Sequence, residues 1–228
     1  MFGVGLICQL VMTVWLAMGS SSHSPVDSPV SKVKELCFAG KCDSASILAQ
    51  GLAEDKRLSA LPDIVIGELG DSVALCWYRS SQYYSAYAER TREFRLWHNL
   101  CGDSDRRTIG ALNGLALACD GLERYGEAES LFVRAISLAE GTLGKDDAIL
   151  AVIHSNLASL FWQTNRYPES ESLYQRSMEI YMRIFGSNDG LVAEDLNGIA
   201  DLYRDQGRCS EAESLYQRAM AWCGRDFL

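Results

Sequence analysis

Hydrophobic positions in the middle of the chain recur at the spacing of amphipathic helices. Leu157, Leu160 and Phe161 share one helical face, and after a short polar break Leu173 and Tyr174 begin a second apolar face. The pattern therefore predicts two helices joined by a turn, each of which buries one face.

The same two-helix pattern returns at a constant step of 42 residues. Leu115, Leu157 and Ile199 occupy one position of the pattern, and each is followed by alanine. Two charged positions keep the same step, with members Glu129, Glu171, Glu213, Arg134, Arg176 and Arg218. A fixed period of this length indicates a repeat architecture, in which each unit packs against its neighbours.

Residues that end and begin helices stand between the apolar runs. Pro168 suits the first turn of a second helix, where the N–H that proline lacks is not needed. Gly144 and Gly186 follow second helices and suit the left-handed conformation that often ends a helix. The polar residues after these glycines are candidates to cap the next first helix, namely Asp146, Asp147, Asn188 and Asp189.

The pattern resembles the tetratricopeptide repeat. In the second helix of that family a small residue precedes an aromatic one by one turn, and the aromatic ring fills the space between successive helix pairs. The matching pairs here are Ala128 with Phe132, Ser170 with Tyr174, and Ala212 with Tyr216. The 42-residue period, with Leu-Gly or Phe-Gly and an acidic loop between repeats, is similar to the kinesin-light-chain subtype. WD40, HEAT and armadillo repeats have periods near this length, but their residue patterns do not match.

This resemblance implies an all-α fold, a right-handed superhelical solenoid of antiparallel helix pairs. The expected segments are a leader at 1–19, a flexible spacer at 20–31, degenerate helical repeats at 32–113, and three clear repeats at 114–228, placed at about 114–155, 156–197 and 198–228. In the degenerate segment the period aligns Arg90 with Phe132, so the aromatic filler is absent or moved. Residues 61–66 follow a break and predict the start of a helix, although their β-branched run also fits a short strand.

Residues 2–18 are apolar and uncharged. With the small residues Ala17 and Gly19 behind them, they have the outline of a cleaved signal peptide, although no Lys or Arg precedes the apolar core. One alternative is an uncleaved membrane anchor, since a stretch of this length only just spans a bilayer. Another is a buried helix of the solenoid. We therefore expect a protein that is exported, either secreted or periplasmic, or anchored to a membrane through residues 2–18.

The chain has eight cysteines, and seven remain if the leader is removed. An odd number in an exported protein suggests an intermolecular bridge or a reactive thiol. Packing is the simpler explanation, because Cys119 aligns with Phe161 and Cys209 aligns with Tyr167. A bridge between Cys37 and Cys42, across a helix–turn–helix, is the alternative for that pair.

Composition and motifs argue against several function classes. A net charge of −9 and the lack of a basic run argue against a nucleic acid partner. The sequence has no Cys-x-x-Cys, His-Glu-x-x-His or Gly-rich phosphate loop, and its three histidines are isolated in sequence. His154 falls at a packing position of a first helix. The sequence therefore predicts no enzymatic activity, no metal and no cofactor.

In the family that the repeat resembles, the first helices of successive repeats line a concave groove that binds an extended peptide or a partner helix. The resemblance places the following residues in the groove: Asn113, Leu117, Ser155, Ser159, Trp162, Gln163, Asn197, Asp201, Arg204 and Asp205. Some family members clamp a C-terminal carboxylate with Lys and Arg, but here the equivalent positions hold Asn, Ser, Leu and Asp. We therefore expect a non-enzymatic scaffold or adaptor for a basic or neutral peptide or protein. The alternative is that these side chains are only solvated.

The last repeat is followed by too few residues for the solvating helix that usually ends such arrays. Met220, Trp222 and Phe227 are therefore expected to be exposed. An exposed apolar patch often marks an interaction surface, so the alternative function is self-association into a homo-oligomer through this face. A chain cut from a longer array would show the same feature.

Overall fold

The computed structural model describes residues 27–54, 63–186 and 189–223, and all regular structure in these ranges is α-helical. The helices are α1 Asp27–Phe38, α2 Cys42–Glu54, α3 Asp63–Arg79, α4 Tyr83–Cys101, α5 Arg106–Gly121, α6 Tyr125–Thr142, α7 Ala148–Gln163, α8 Tyr167–Phe185, α9 Gly190–Asp205 and α10 Cys209–Cys223. The predicted all-α class is confirmed. The leader at 1–19 and Phe227 lie outside the described residues, as does the side chain of Trp222.

The helix starts keep the period of the sequence. Helices α5, α7 and α9 begin 42 residues apart, and so do α4, α6, α8 and α10. The degenerate segment therefore contains a helix pair, α3 and α4, in the register of the clear repeats. The repeat boundaries predicted from the sequence, at residues 114, 156 and 198, each fall inside a first helix. The apolar pattern marks the middle of that helix, whereas the repeat begins at the helix cap. The strand alternative at 61–66 is wrong, since α3 begins at Asp63.

One turn geometry joins the two helices of each pair. The second residue after the end of each first helix has positive φ, and the set is Gly40, Ser81, Glu123, Asn165 and Gly207. The next residue donates its backbone N–H to the carbonyl five positions earlier, as Arg166 does to Phe161 at 2.7 Å and Arg208 to Tyr203 at 2.8 Å. This is the Schellman motif, which satisfies the last carbonyls of a helix.

The loops between pairs follow a second shared geometry. Gly144 and Gly186 have φ values of 88° and 90°, as their position after a second helix predicts. Asp147 and Asp189 then accept the backbone N–H two residues on, at 2.8 Å and 2.9 Å, so these two predicted caps are confirmed. Asp146 is not a cap, and instead it pairs with Arg183 at 2.6 Å.

The chain forms two compact units, residues 1–124 and 125–228. In the second unit α8 packs against both α7 and α9. The Tyr174 ring of α8 lies among Ala158 of α7 and Ile199 and Leu202 of α9, and only 7% of Tyr174 is exposed. A Cβ added at Gly198 of α9 would lie 2.6 Å from this ring, so the close approach requires glycine there. The predicted filling of the space between pairs by an aromatic residue is confirmed for Tyr174.

In the first unit Arg90 occupies the place of that aromatic residue. A Cβ added at Gly114, the counterpart of Gly198, would lie 2.6 Å from Arg90 Nε. The Arg90 guanidinium pairs with Asp71 and, at 2.7 Å, with Glu93. Burial raises the pKa of Glu93 to about 7, although Arg90 opposes this shift. The aromatic filler is therefore absent from this position, as expected, and a paired cation takes its place.

The cysteine predictions need two corrections. Cys42, at the start of α2, forms a disulfide with Cys76 of α3, with Cα atoms 5.6 Å apart, so the Cys37–Cys42 bridge is wrong. Helix α2 packs against α3, which brings the two bridged residues together. Cys37 is a buried thiol whose pKa burial raises to about 11. Cys119 is fully buried as expected, but Cys209 is exposed, whereas Tyr167 at the same position of the preceding repeat packs against the core.

Candidate functional site

Most of the predicted groove residues lie on the first helices of two successive pairs in the second unit. Helix α7 carries Ser155, Ser159, Trp162 and Gln163, and α9 carries Asn197, Asp201, Arg204 and Asp205. Asn113 and Leu117 lie on α5 in the first unit, where both are half-buried. The candidate site of the second unit is therefore formed by α7 and α9, together with Tyr216 of α10.

A hydrogen bond between Trp162 and Asp205 joins the two first helices. The indole Nε1–H of Trp162 donates to Asp205 Oδ2 at 2.8 Å. The other oxygen of Asp205 accepts from Nε and Nη2 of Arg204, both at 3.2 Å. The Arg204 side chain also donates from Nη1 to Asp201 Oδ1 at 2.6 Å. One guanidinium therefore spans two carboxylates that lie one helical turn apart.

Tyr216 of α10 completes this network, and the sequence did not indicate it. Its hydroxyl donates to Asp201 Oδ1 at 2.6 Å and accepts from Arg204 Nη1 at 3.2 Å. Burial, followed by the Asp201 carboxylate, raises the pKa of Tyr216 to about 12. The period assigns Tyr216 the filler role of Tyr174, so its role as a polar partner of a first helix could not be predicted.

Ser155 lies beneath this surface and not on it. It is 9% exposed, and its hydroxyl donates to Asp195 Oδ1 of α9 at 2.6 Å. Asp195 is 1% exposed, and burial raises its pKa to about 7, with a further contribution from Glu194, while the hydrogen bond from Ser155 acts in the opposite direction. The interior therefore favours the protonated carboxyl far more than water does, and both forms of Asp195 are populated near neutral pH.

The neighbouring positions on α7 and α9 differ in exposure. Ser159 is half-buried and hydrogen-bonds to the Tyr174 phenol, whereas Gln163 and Asn197 are exposed. His154 is 3% exposed at the predicted packing position, where burial lowers its pKa to about 4 and the Arg176 charge adds to the shift. The accessible face thus combines the amides of Gln163 and Asn197, the indole of Trp162 and the Asp201–Arg204–Asp205 bridge.

The predicted self-association face is only partly within the described residues. Met220 of α10 lies there and is 66% exposed. In the part of the chain that the structure describes, no helix is both long and apolar enough to cross a bilayer. Within the same ranges, no three His, Cys, Asp or Glu side chains are grouped so that they could hold a metal ion.

Two models of known protein families match the sequence of this chain. Residues 108–148 and 148–221 match two family models, both described as tetratricopeptide repeat, which together span half of the chain. The chain belongs to the tetratricopeptide repeat family. The sequence-based identification of the family is thus confirmed, and proteins of this family generally act as non-enzymatic scaffolds for protein interactions. No curated protein sequence matches the chain.

Solved structures share this tetratricopeptide fold at low identity. BtubC (BKLC) from P. vanneervenii is 13% identical with a TM-score of 0.62, over 88% of this chain and 91% of that one. A kinesin light chain protein of Podosopora anserina, with nearly identical TPR-like repeats, is 14% identical with a TM-score of 0.67, over 91% and 99%. A Rap protein complexed with Competence and Sporulation Factor is 14% identical with a TM-score of 0.68, over 84% of this chain and 52% of that one. At these identities the likeness shows the fold alone.

The buried Asp195 predicts a pH-dependent stability. Its carboxyl has a pKa of about 7 in the folded protein, whereas an aspartate in the unfolded chain ionises near pH 4. Unfolding therefore releases a proton between these values, so the free energy of unfolding falls as the pH rises from about 4 to about 7. Asp195→Asn keeps a hydrogen-bond acceptor for Ser155 and cannot ionise, so it removes the fall in the free energy of unfolding that Asp195 causes as the pH rises. We expect the variant to be more stable than wild type at pH 8, by at most about 4 kcal/mol, and to approach wild type below pH 5.

Urea unfolding across this pH range checks this expectation. Asp146→Asn, at an exposed aspartate, is the control for the loss of one carboxylate. Parallel pH curves for wild type and Asp195→Asn, or a variant that is less stable at pH 8, would contradict the assignment.

Proposed function

We propose that the chain binds an extended peptide, basic or neutral in character, along the exposed faces of α7 and α9. The observation that carries the proposal is the Asp201–Arg204–Asp205 bridge beside the half-buried Trp162. Carboxylates complement a basic partner, and an indole offers apolar contact area to a peptide side chain.

Asn197 supports the same interpretation. It is exposed on the α9 face, one turn before Asp201. An asparagine amide offers both a donor and an acceptor, so it can bond both backbone groups of an extended peptide. Such contacts give affinity that depends little on the peptide sequence, whereas Asp201 and Asp205 would favour a cationic side chain.

The family and the fold support a role in binding and not in catalysis. Tetratricopeptide repeat proteins are generally non-enzymatic, and a Rap protein of the same fold was solved in complex with Competence and Sporulation Factor. We therefore assign the chain the role of a scaffold or adaptor that uses its first-helix face.

Asn197→Arg tests this face without disturbing the core. A bulky cation at an exposed helical position should block an extended peptide and repel a basic one. In selections from a phage-displayed library of random peptides, we expect peptides recovered on wild type to bind Asn197→Arg at least about tenfold more weakly. Binding is measured by fluorescence anisotropy.

Gln175→Arg provides the matched control, since it makes the same change of charge at an exposed position of the second helix α8. It should bind the selected peptides as wild type does. Peptides that bind wild type and Asn197→Arg equally well would place the binding surface elsewhere.

The outer face of α10 favours a second candidate, self-association. The period aligns Glu213, Tyr216 and Met220 of α10 with Glu171, Tyr174 and Met178 of α8. In α8 this face is covered by α9, where Tyr203 donates its hydroxyl to Glu171 at 2.6 Å. The corresponding Met220 is 66% exposed, so α10 offers a face of the kind that a first helix covers.

Met220→Glu tests self-association. If α10 forms an interface between copies, wild type should show concentration-dependent dimerisation in sedimentation, and Met220→Glu should weaken it at least about tenfold. Ile184→Glu, at another exposed apolar position, is the control and should dimerise as wild type does. A wild type that stays monomeric at the highest concentrations excludes this candidate.

We also propose that the protein is exported. The Cys42–Cys76 disulfide supports this assignment, because such bonds persist in oxidising compartments and are rare in the cytosol. Protein isolated from its native host under alkylating, non-reducing conditions should yield a Cys42–Cys76 linked peptide in mass spectrometry. Recovery of both cysteines as alkylated thiols would argue against export.

A further inference from the structure

We infer that Arg204 acts as a built-in competitor, whose guanidinium occupies the place that a basic side chain of the bound peptide would take. The inference rests on the function proposed above and specifies the chemistry of the partner: an extended peptide that places an Arg or Lys between Asp201 and Asp205.

The two carboxylates form a site for one cation. The Arg204 guanidinium lies 2.6 Å from Asp201 Oδ1 and 3.2 Å from Asp205 Oδ1, so a single positive group contacts both carboxylates and leaves the three side chains with one net negative charge. Asp201, Arg204 and Asp205 all belong to α9, and their positions are fixed by one rigid helix. Two carboxylates this close favour any cation that can bridge them.

Neighbouring helices also hold the carboxylates, through donors other than Arg204, although Tyr216 accepts a hydrogen bond from Arg204 Nη1 at 3.2 Å as well. Trp162 Nε1–H of α7 donates to Asp205 Oδ2 at 2.8 Å, and the Tyr216 hydroxyl of α10 donates to Asp201 at 2.6 Å. If Arg204 turned away, both acceptors would keep a partner and their orientation. The acceptor geometry is thus preorganised, which lowers the cost of binding a replacement cation.

Arg204 itself is held weakly enough to be displaced. Its side chain is 52% exposed, and its ion pairs are with residues one and three positions away on the same helix. Exposed pairs of this kind contribute little free energy, because water screens them and the long side chain loses freedom. Arg208 differs, because its guanidinium lies 3.6 Å over the Tyr203 ring and also pairs with Glu211 at 2.6 Å.

Removal of Arg204 should therefore increase affinity for basic peptides. A phage-displayed library of random peptides is selected in parallel on wild type and on Arg204→Gln, and recovered peptides are measured by fluorescence anisotropy. We expect the Arg204→Gln pool to be richer in Arg and Lys. A basic peptide from that pool should bind Arg204→Gln about two- to fivefold more tightly than wild type, and its Arg-to-Gln counterpart should show no such preference.

Two variants separate this effect from general electrostatics. Arg183→Gln removes a cation that is also 52% exposed and paired with one aspartate, but on α8, so it should leave peptide affinity unchanged. Asp201→Asn combined with Arg204→Gln should abolish the preference for basic peptides.

The outcomes distinguish this inference from the function on which it rests. If both proteins recover peptides that Asn197→Arg fails to bind, but Arg204→Gln shows no gain for basic ones, the role of Arg204 is wrong and the binding face stands. If neither protein recovers a peptide that is sensitive to Asn197→Arg, the proposed function is wrong, and the inference fails with it.

Discussion

One close contact, present at two of the interfaces between successive helix pairs, determines how those pairs stack. A large side chain of a second helix lies on a glycine of the next first helix, where a Cβ would clash with it. Tyr174 meets Gly198 in the second unit, and Arg90 meets Gly114 in the first. Because the partner is glycine, the helices approach closely and the large side chain is enclosed, which gains both burial and packing. The chemistry of the side chain can change, from phenol to paired guanidinium, while the contact is kept.

The binding face depends on this contact. Tyr174 packs between Ala158 of α7 and Ile199 of α9, so it sets the separation of the two first helices. At that separation Trp162 reaches Asp205 at 2.8 Å, and the Asp201–Arg204–Asp205 bridge stands beside the indole. The polar face presented to a partner is thus a consequence of an apolar contact beneath it. The buried Asp195 below the same face lowers the stability of the fold when it ionises, because burial disfavours the charged carboxylate and raises its pKa.

Local features of the fold could be predicted from the sequence, and features that join distant residues could not. The glycine stops and the Asp147 and Asp189 caps depend on residues close to one another in sequence, whereas the period and the aromatic filler follow from one pattern that repeats every 42 residues. The Cys42–Cys76 bridge spans 34 residues, so spacing alone does not reveal it. The left-handed turns at Ser81 and Glu123 arise from the shared Schellman geometry and not from residue type. In the site, the positions on the first helices were predicted from the sequence. The inward orientation of Ser155 and the contribution of Tyr216 could be recognised only from the packing of the helices in the structure.

The most direct measurement compares urea unfolding of Gly198→Ala and Gly190→Ala, two substitutions in the same helix. At Gly190 a Cβ meets nothing within 4 Å, whereas at Gly198 it would lie 2.6–2.9 Å from the Tyr174 ring. The account predicts that Gly198→Ala lowers the free energy of unfolding by about 1–3 kcal/mol and that Gly190→Ala leaves it unchanged or slightly raised. Equal stability of the two variants would contradict the claim that this contact determines how the pairs stack.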